Sequence, residues 1–134
     1  MMILQQELKV LICDDSALIR KKFRKILEVC QCKYIEEADN GEMALEKVHE
    51  FKPDLVFMDI VMPKKDGIEA LEEIKKEYPT IKVVMASSAG TQSHLKKALE
   101  HGAYDFIQKP ITIEAVAVLI EKIMTEKKEG SAHV

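Results

Sequence analysis

The chain has 134 residues, of which 47% are hydrophobic and 32% are charged, and its formal net charge is −3. This size and hydrophobic fraction predict one domain that is stable without disulfides, and the weak negative charge argues against a direct nucleic-acid partner. No apolar stretch approaches the ~18 residues of a membrane span and no secretory signal is recognisable, so we expect a cytoplasmic protein without a membrane contact.

Five short strands are predicted from apolar or mixed runs. In chain order they cover residues 10–13, 34–38, 55–58, 82–86 and 104–107. The first, third and fourth runs are continuously apolar, which is typical of strands covered on both faces. The second and fifth are more polar and suit the edges of a sheet. We therefore expect two edge strands and three central strands.

Each predicted strand is followed by a segment with apolar residues three or four positions apart, which indicates a helix. The residues that carry this spacing are Ile19, Phe23, Ile26 and Leu27; Met43, Ala44 and Val48; Ile68, Leu71 and Ile74; Leu95, Ala98 and Leu99; and Ile113, Val116, Ile120 and Ile123. Strict alternation of strand and helix predicts right-handed crossovers and a doubly wound parallel α/β sheet with five helices. We assign residues 8–126 to this domain, residues 1–7 to an N-terminal extension and residues 127–134 to a flexible tail, because the apolar pattern ends there.

Polar residues suited to phosphate or metal chemistry follow four of the strands. Asp14 and Asp15 follow the first, Asp59 the third, Ser87 the fourth and Lys109 the fifth. In a doubly wound sheet, ligands bind beyond the carboxyl ends of the strands, where the strand order reverses. If the first and third strands are neighbours, the three aspartates meet. Unit charges about 4 Å apart repel by roughly 4 kcal/mol at an effective dielectric of 20, so the cluster predicts a divalent cation. Oxygen-only ligation favours Mg²⁺.

An aspartate beside such an ion can attack phosphorus and form an acyl phosphate. Asp59 is the candidate nucleophile, because it ends a central strand and is flanked by the other two acids. Lys109 precedes Pro110, and a cis peptide bond there could aim its ammonium group at the phosphoryl group. Ser87 could donate a hydrogen bond to the same oxygens. Taken singly, each aspartate could equally cap a helix or belong to a loop turn.

Together these motifs resemble the receiver domain of two-component response regulators. The resemblance spans residues 9–124 and rests on Asp14-Asp15, on segment 58–63 with Asp66-Gly67, on Ser87, and on Gly102-Ala103 leading to Lys109-Pro110. It implies a flavodoxin-like five-stranded sheet in the order 2-1-3-4-5. It also implies a phosphorylation-activated switch, which catalyses only its own phosphorylation and dephosphorylation, and a phosphoryl donor that is a histidine kinase or a histidine phosphotransfer protein.

The resemblance also implies roles for the residues of the metal site. Asp59 would be the phosphoacceptor. Asp15, Asp59 and the backbone carbonyl of Val61 would bind Mg²⁺, and Asp14 would contact the ion through water. Val61 and Ala89 flank the phosphosite and are apolar, so neither can orient an attacking water. This predicts a long-lived phosphoryl state.

Two further roles concern the switch that the resemblance implies. Ser87 and Lys109 would sense the phosphoryl group. Phe106 would be the switch aromatic on the fifth strand, where the chemotaxis receivers often have tyrosine. Its rotation would alter a surface formed by the fourth helix, the fifth strand and the fifth helix, which receivers often use to bind an effector protein or a second copy.

Partner surfaces are predicted on two helices. On the last helix, Val118 and Ala115 are expected to face outward, which suggests a phosphorylation-dependent contact with an effector protein or a second copy. The first helix carries a basic band that could attract an acidic kinase or phosphotransfer domain, although a solvated helix face would have the same composition. This band consists of Arg20, Lys21, Lys22, Arg24 and Lys25.

Three other functions have to be weighed against a working receiver. An Mg²⁺-dependent phosphohydrolase would need an acid two residues after Asp59, where Val61 stands. A flavin or nucleotide domain would need a phosphate-binding loop after the first strand, where Asp14-Asp15 would repel phosphate. A receiver-like module that has lost phosphorylation would not need the full set of acids, Ser87 and Lys109.

Overall fold

Five parallel strands form the sheet of this protein, and helices cover both of its faces. The computed structural model describes residues 7–132. The sheet order is β2-β1-β3-β4-β5, and all four pairings are parallel, which confirms the doubly wound topology and the two predicted edge strands. The strands are β1 (Lys9–Cys13), β2 (Tyr34–Ala38), β3 (Leu55–Asp59), β4 (Lys82–Ser87) and β5 (Asp105–Gln108).

The five predicted helices are present, and a 3₁₀-helix, Ala89–His94, precedes the fourth. The α-helices are α1 (Ala17–Val29), α2 (Gly41–Phe51), α3 (Gly67–Glu77), α4 (Leu95–Glu100) and α5 (Ile113–Ala132). Polar caps begin the first three: the side chains of Ser16, Asn40 and Asp66 accept hydrogen bonds from backbone N–H groups three residues further on. Such caps satisfy N–H groups that have no partner inside a helix.

Apolar side chains pack on both faces of the sheet, because successive residues of a strand point to opposite sides. On one face, α1 and α5 cover a cluster that includes the rings of Phe23 and Phe57, whose centroids are 4.7 Å apart. On the other face, α2, α3 and α4 cover a second cluster. Neighbouring residues of β1 show the alternation: Leu11 belongs to the second cluster and Ile12 to the first.

The helical backbone of α5 continues to Ala132, into the segment that was predicted to be a tail. The apolar spacing does stop near Met124, but lysine and glutamate are good helix formers and need no buried face to continue a helix. Residues 1–6 of the predicted extension, and residues 133–134, lie outside the described part of the chain. No helix within the described part is both long and apolar enough to cross a lipid bilayer.

Candidate functional site

Three aspartates meet at the carboxyl ends of β1 and β3, as the sequence predicted. These strands are neighbours in the sheet. One carboxylate oxygen from each of Asp14, Asp15 and Asp59 lies within 4.8 Å of the other two. Asp14 and Asp59 are buried, whereas Asp15 is exposed. The cluster therefore reaches from the buried ends of β1 and β3 to the protein surface.

The position of Asp59 depends on a close approach between the end of β3 and the start of α3. The backbone N–H of Gly67, the first residue of α3, donates a hydrogen bond of 2.8 Å to the carbonyl of Ile60. A Cβ atom on Gly67 would clash with the backbone carbonyl oxygen of Asp59. Only glycine allows this contact, and the contact fixes the backbone that carries the Asp59 carboxylate.

Lys109 reaches the same cluster from the end of β5. Its Nζ donates a hydrogen bond of 2.7 Å to Oδ2 of Asp14 and lies 3.4 Å from Oδ2 of Asp59. Its backbone N–H donates to the carbonyl of Ser87 at 2.8 Å. The Lys109–Pro110 peptide bond is cis. The sequence therefore correctly predicted that Lys109 joins residues from β1 and β3.

The Asp14 carboxylate is held by protein donors on both oxygens. The backbone N–H of Ser16 donates to Oδ1 at 2.9 Å, and Lys109 donates to Oδ2. The backbone N–H of Asp14 donates to the carbonyl of Ala38 on β2 at 3.1 Å. Asp14 thus has a fixed orientation, while Asp15 and Asp59 contribute the remaining carboxylate oxygens of the cluster.

Burial and charge shift the pKa values of the two central groups. Burial is the main reason why the pKa of Asp59 is raised, and the charges of Asp14 and Asp15 raise it further, against the opposing effect of Lys109. For Lys109, burial alone would lower the pKa, but the hydrogen bond to Asp14 and the Asp59 charge outweigh it and raise the pKa. The two carboxylates therefore favour the charged form of Lys109, whereas burial and the neighbouring acids disfavour the charged form of Asp59.

Ser87 ends β4 beside this cluster and is completely buried. Its hydroxyl group has no hydrogen-bond partner among the described residues. An unsatisfied buried polar group costs roughly 1–3 kcal/mol, so native proteins rarely retain one without a reason. The hydroxyl group is available to an acceptor atom that enters the site.

The two remaining predicted residues are exposed at the surface. Val61 follows β3 with 59% of its surface exposed, and Phe106 lies on β5 with 40% exposed. Phe106 pairs in register with Met85 of β4, two residues before Ser87. Ser87 itself pairs in register with Gln108, so Phe106 lies on the strand next to Ser87 but not opposite it.

One contact of the site was not predicted, because Arg20 was assigned to the basic band of α1. Its guanidinium group donates to the backbone carbonyl of Asp14 at 2.6 Å and to Oε1 of Glu37 at 2.9 Å. Arg24 donates to the other oxygen of Glu37 at 2.7 Å. These two arginines face β2. The exposed part of the band consists of Lys21, Lys22 and Lys25.

The donor set fits a hard divalent ion. All of the acidic donors are carboxylate oxygens, and with all three aspartates ionised the charge of Lys109 leaves an excess of negative charge. Mg²⁺ prefers such oxygen ligands and is commonly bound by one or two carboxylates together with phosphate oxygens. Zinc would favour sulfur or nitrogen donors, and the cluster contains neither.

Comparison with known proteins identifies the family. The family model described as "Response regulator receiver domain" matches residues 10–121. The chain belongs to the response regulator receiver family. This receiver is 41% identical over 115 residues to the chemotaxis protein CheY of Listeria monocytogenes. The aligned region covers 86% of this chain and 97% of that protein. It is 42% identical over 116 residues to CheY of Bacillus subtilis, covering 87% of the chain and 97% of that protein.

Solved structures show the same fold. The receiver domain of AraT, a response regulator from Geobacillus stearothermophilus, matches with a TM-score of 0.85 at 25% identity and covers 92% of this chain and 98% of that one. The response regulator domain of Thermotoga maritima CheB matches with a TM-score of 0.75 at 41% identity, covering 88% and 94%. The chain is therefore a receiver of two-component signalling, which is a class of signalling switches and not of classical enzymes. The phosphohydrolase and flavin-domain alternatives are set aside.

Proposed function

We propose that this receiver is phosphorylated at Asp59 by a histidine kinase or a histidine phosphotransfer protein. The observation that carries the proposal is the convergence at one sheet edge of the three aspartates, within 4.8 Å of one another, with the ammonium group of Lys109 3.4 Å from Asp59. The unpartnered hydroxyl group of Ser87 lies at the end of the next strand. Phosphoryl transfer requires positioning and charge neutralisation, and this set of groups can supply both.

Asp59 is suited to be the nucleophile. Its side chain is 11% exposed, so part of the carboxylate faces solvent, and the Lys109 ammonium group lies 3.4 Å away. In the proposed step, an Asp59 carboxylate oxygen forms a bond to phosphorus as the phosphorus–nitrogen bond of a phosphohistidine breaks. The donor imidazole leaves with the electron pair and takes up a proton from solvent.

Asp15 and Asp59, with the backbone carbonyl of Val61, would hold Mg²⁺. When bound, the ion neutralises charge on the acid cluster and on the phosphoryl oxygens. Asp14 would contribute through water, since both of its carboxylate oxygens already accept hydrogen bonds from the protein. That arrangement keeps Asp14 and Lys109 paired while the donor approaches.

Lys109 and Ser87 would sense the phosphoryl group. Lys109 can exchange its contact with Asp14 for a phosphoryl oxygen, and the Ser87 hydroxyl group gains an acceptor that none of residues 7–132 supplies. A modification shifts a conformational equilibrium only by its differential interaction with the two states, and these two groups provide the difference. Inward rotation of Phe106 would then change the surface formed by α4, β5 and α5.

We propose that the switch is cytoplasmic and that its domain consists of residues 8–126. Two of its surfaces would bind partners. Lys21, Lys22 and Lys25 are exposed on α1 and would steer an acidic phosphodonor toward the site. The second surface is on α5, where Val118 is 65% exposed and would contact an effector protein or a second copy after phosphorylation. Direct binding of nucleic acid does not form part of the proposal.

Incubation with acetyl phosphate and Mg²⁺ tests the proposal. We expect a single acid-stable, base-labile phosphoryl adduct. Mass spectrometry of peptides in which the acyl phosphate has been reduced should map it to Asp59. Asp59→Asn should abolish it, and omission of Mg²⁺ should slow it strongly. Absence of an adduct in the unmodified protein, or an adduct at another residue, would contradict the proposal and favour a receiver-like module that has lost phosphorylation.

A further inference from the structure

Arg20 connects the acid cluster to the edge strand β2. Its side chain is only 17% exposed, which is low for an arginine. One nitrogen donates to the backbone carbonyl oxygen of Asp14 at 2.6 Å, and a second donates to Glu37 of β2 at 2.9 Å. The guanidinium group is planar and rigid, so two such bonds define its orientation.

Glu37 is a firm anchor for this arginine. Its two carboxylate oxygens accept from different arginines, Arg20 at 2.9 Å and Arg24 at 2.7 Å. Burial alone would raise the pKa of Glu37, but the hydrogen bonds from Arg24 and Arg20 outweigh it and lower the pKa from its ordinary value. Glu37 therefore stays ionised at neutral pH and keeps Arg20 in place.

The carbonyl group that Arg20 binds belongs to the peptide unit between Asp14 and Asp15. A peptide unit is planar, so fixing its carbonyl oxygen also fixes the direction in which the chain enters Asp15. The other side of Asp14 is fixed by the hydrogen bond to Ala38. Asp15 is exposed, and the packing that holds Asp14 does not surround it. Of the two peptide units that flank Asp15, the later one is held by the bond from Ser16 N–H to Asp14, and the earlier one by Arg20.

We infer that Arg20 is a positioning residue for the acid cluster, and that it acts through the Asp14–Asp15 peptide unit to direct the Asp15 carboxylate toward Asp59. This inference rests on the proposed Mg²⁺-dependent phosphorylation. Within the acid cluster Arg20 contacts only the backbone oxygen of Asp14, and its other bond goes to Glu37, so it occupies none of the predicted metal-binding oxygens. Residues that orient metal ligands commonly change metal affinity 10–100-fold when they are replaced.

Arg24 provides a matched control. It pairs with the same glutamate, and its second hydrogen bond, 3.1 Å long, goes to the carbonyl of Ile35 in β2 and not to Asp14. Arg20→Gln and Arg24→Gln therefore each remove one positive charge and one bond to Glu37. They differ in the contact with the Asp14 carbonyl.

Electrostatics and positioning predict opposite changes in Mg²⁺ affinity when Arg20 is replaced. Loss of a nearby positive charge favours the binding of a cation, whereas loss of the peptide contact disfavours it. With Mg²⁺ alone and no phosphodonor, followed by NMR titration, we expect Arg20→Gln to raise the dissociation constant roughly tenfold. Arg24→Gln should leave the dissociation constant within about twofold of the wild-type value or lower it slightly, since the charge of Arg24 acts at longer range.

Arg20→Lys completes the test, because a single ammonium group cannot reproduce the two-point geometry of the guanidinium group. We expect it to bind Mg²⁺ nearly as weakly as Arg20→Gln. Wild-type affinity in either Arg20 variant, or equal weakening in Arg20→Gln and Arg24→Gln, would overturn the role of Arg20. Failure of the proposed function looks different, because the unmodified protein would then form no adduct at Asp59 with acetyl phosphate.

Discussion

Ser87 carries a buried hydroxyl group for which the described structure provides no hydrogen-bond partner. Replacing it with alanine removes the unmet group, so Ser87→Ala should keep or gain about 1 kcal/mol of stability in the resting protein. The same variant should lose most of the conformational response to phosphorylation, measured as changes in amide chemical shifts after addition of acetyl phosphate and Mg²⁺.

Ser88→Ala is the matched control, because Ser88 is exposed at the next position. Its backbone N–H, and not its side chain, binds the hydroxyl oxygen of Thr91. We therefore expect a normal response from this variant. A full response in Ser87→Ala would contradict the sensing role of Ser87.

The raised pKa of Asp59 makes a prediction about stability and pH. An acid whose pKa is higher in the folded protein binds more protons there, so its contribution to stability falls as pH rises above the unfolded pKa. In the absence of Mg²⁺, Asp59→Asn should therefore raise the free energy of unfolding at pH 7, by an amount on the order of 1 kcal/mol. Urea titrations should show this gain disappearing below about pH 4, near the pKa of an unfolded aspartate.

Magnesium should reverse the order of the two proteins. A ligand at 100 times its dissociation constant stabilises the folded state by about 2.7 kcal/mol, and the unmodified protein has the full set of carboxylates to bind it. Asp59→Asn should gain less. A destabilised Asp59→Asn protein at pH 7 without Mg²⁺ would show that the cluster is not electrostatically strained.

Val61 bears on the lifetime of the phosphoryl group. Its side chain is exposed beside the end of β3 and has no group that could orient a water molecule. Val61→Asn introduces such a group, so the phosphoryl adduct should decay several-fold faster, on the scale of a general catalytic contact. The decay rate is measured from the loss of the adduct after acetyl phosphate has been removed. Val61→Ala is the control, and an unchanged rate in Val61→Asn would contradict the predicted long lifetime.

At the scale of elements, the joint between β3 and α3 is the least tolerant part of the site. Gly67→Ala would place a Cβ atom against the carbonyl oxygen of Asp59, and backbone atoms on both sides cannot yield without displacing the carboxylate. We expect a loss of about 3 kcal/mol or more in urea titrations, together with loss of phosphorylation. Gly90→Ala is the control. No atom lies within 4 Å of its added Cβ, so its stability should change by less than about 0.5 kcal/mol.

The strands could be predicted well because a sheet covered on both faces requires continuous apolar runs. The helical segments were harder to predict at two places, after the end of β4 and at the carboxyl end of α5. Leu99 matched a helical spacing, yet it is 45% exposed, because the short α4 packs mainly through Ala98. The 3₁₀-helix Ala89–His94 precedes α4, and its sequence has no apolar spacing from which it could be predicted.

The aspartates, Ser87 and Lys109 could be predicted because each ends a strand or comes within two residues after one, so the sheet alone brings them together. Arg20 could not be placed in this way. Its partner Glu37 is on β2, and its other acceptor is a backbone oxygen, which leaves no trace in the sequence. In the sequence, Arg20 looks the same as Lys21 and Lys22, and only the tertiary structure separates the partly buried arginine from its exposed neighbours.

At the scale of the molecule, the face formed by α4, β5 and α5 leaves apolar side chains in contact with solvent. Val118 is 65% exposed, so Val118→Glu should fold normally. We expect it to weaken any phosphorylation-dependent self-association or effector binding at least tenfold, measured by sedimentation velocity with and without acetyl phosphate. Leu18→Glu, at 78% exposure on α1, is the control for adding a charge. Unchanged binding in Val118→Glu would remove this face from the proposal.

The bond between Lys109 and Asp14 joins residues 95 positions apart. It forms only when β1 and β5, which do not pair with each other, have both joined the sheet. A chain still emerging from the ribosome can expose all three aspartates long before its lysine has been translated. The proposed phosphorylation uses this lysine as well as the aspartates, so we expect a chain that ends before Lys109 not to accept a phosphoryl group.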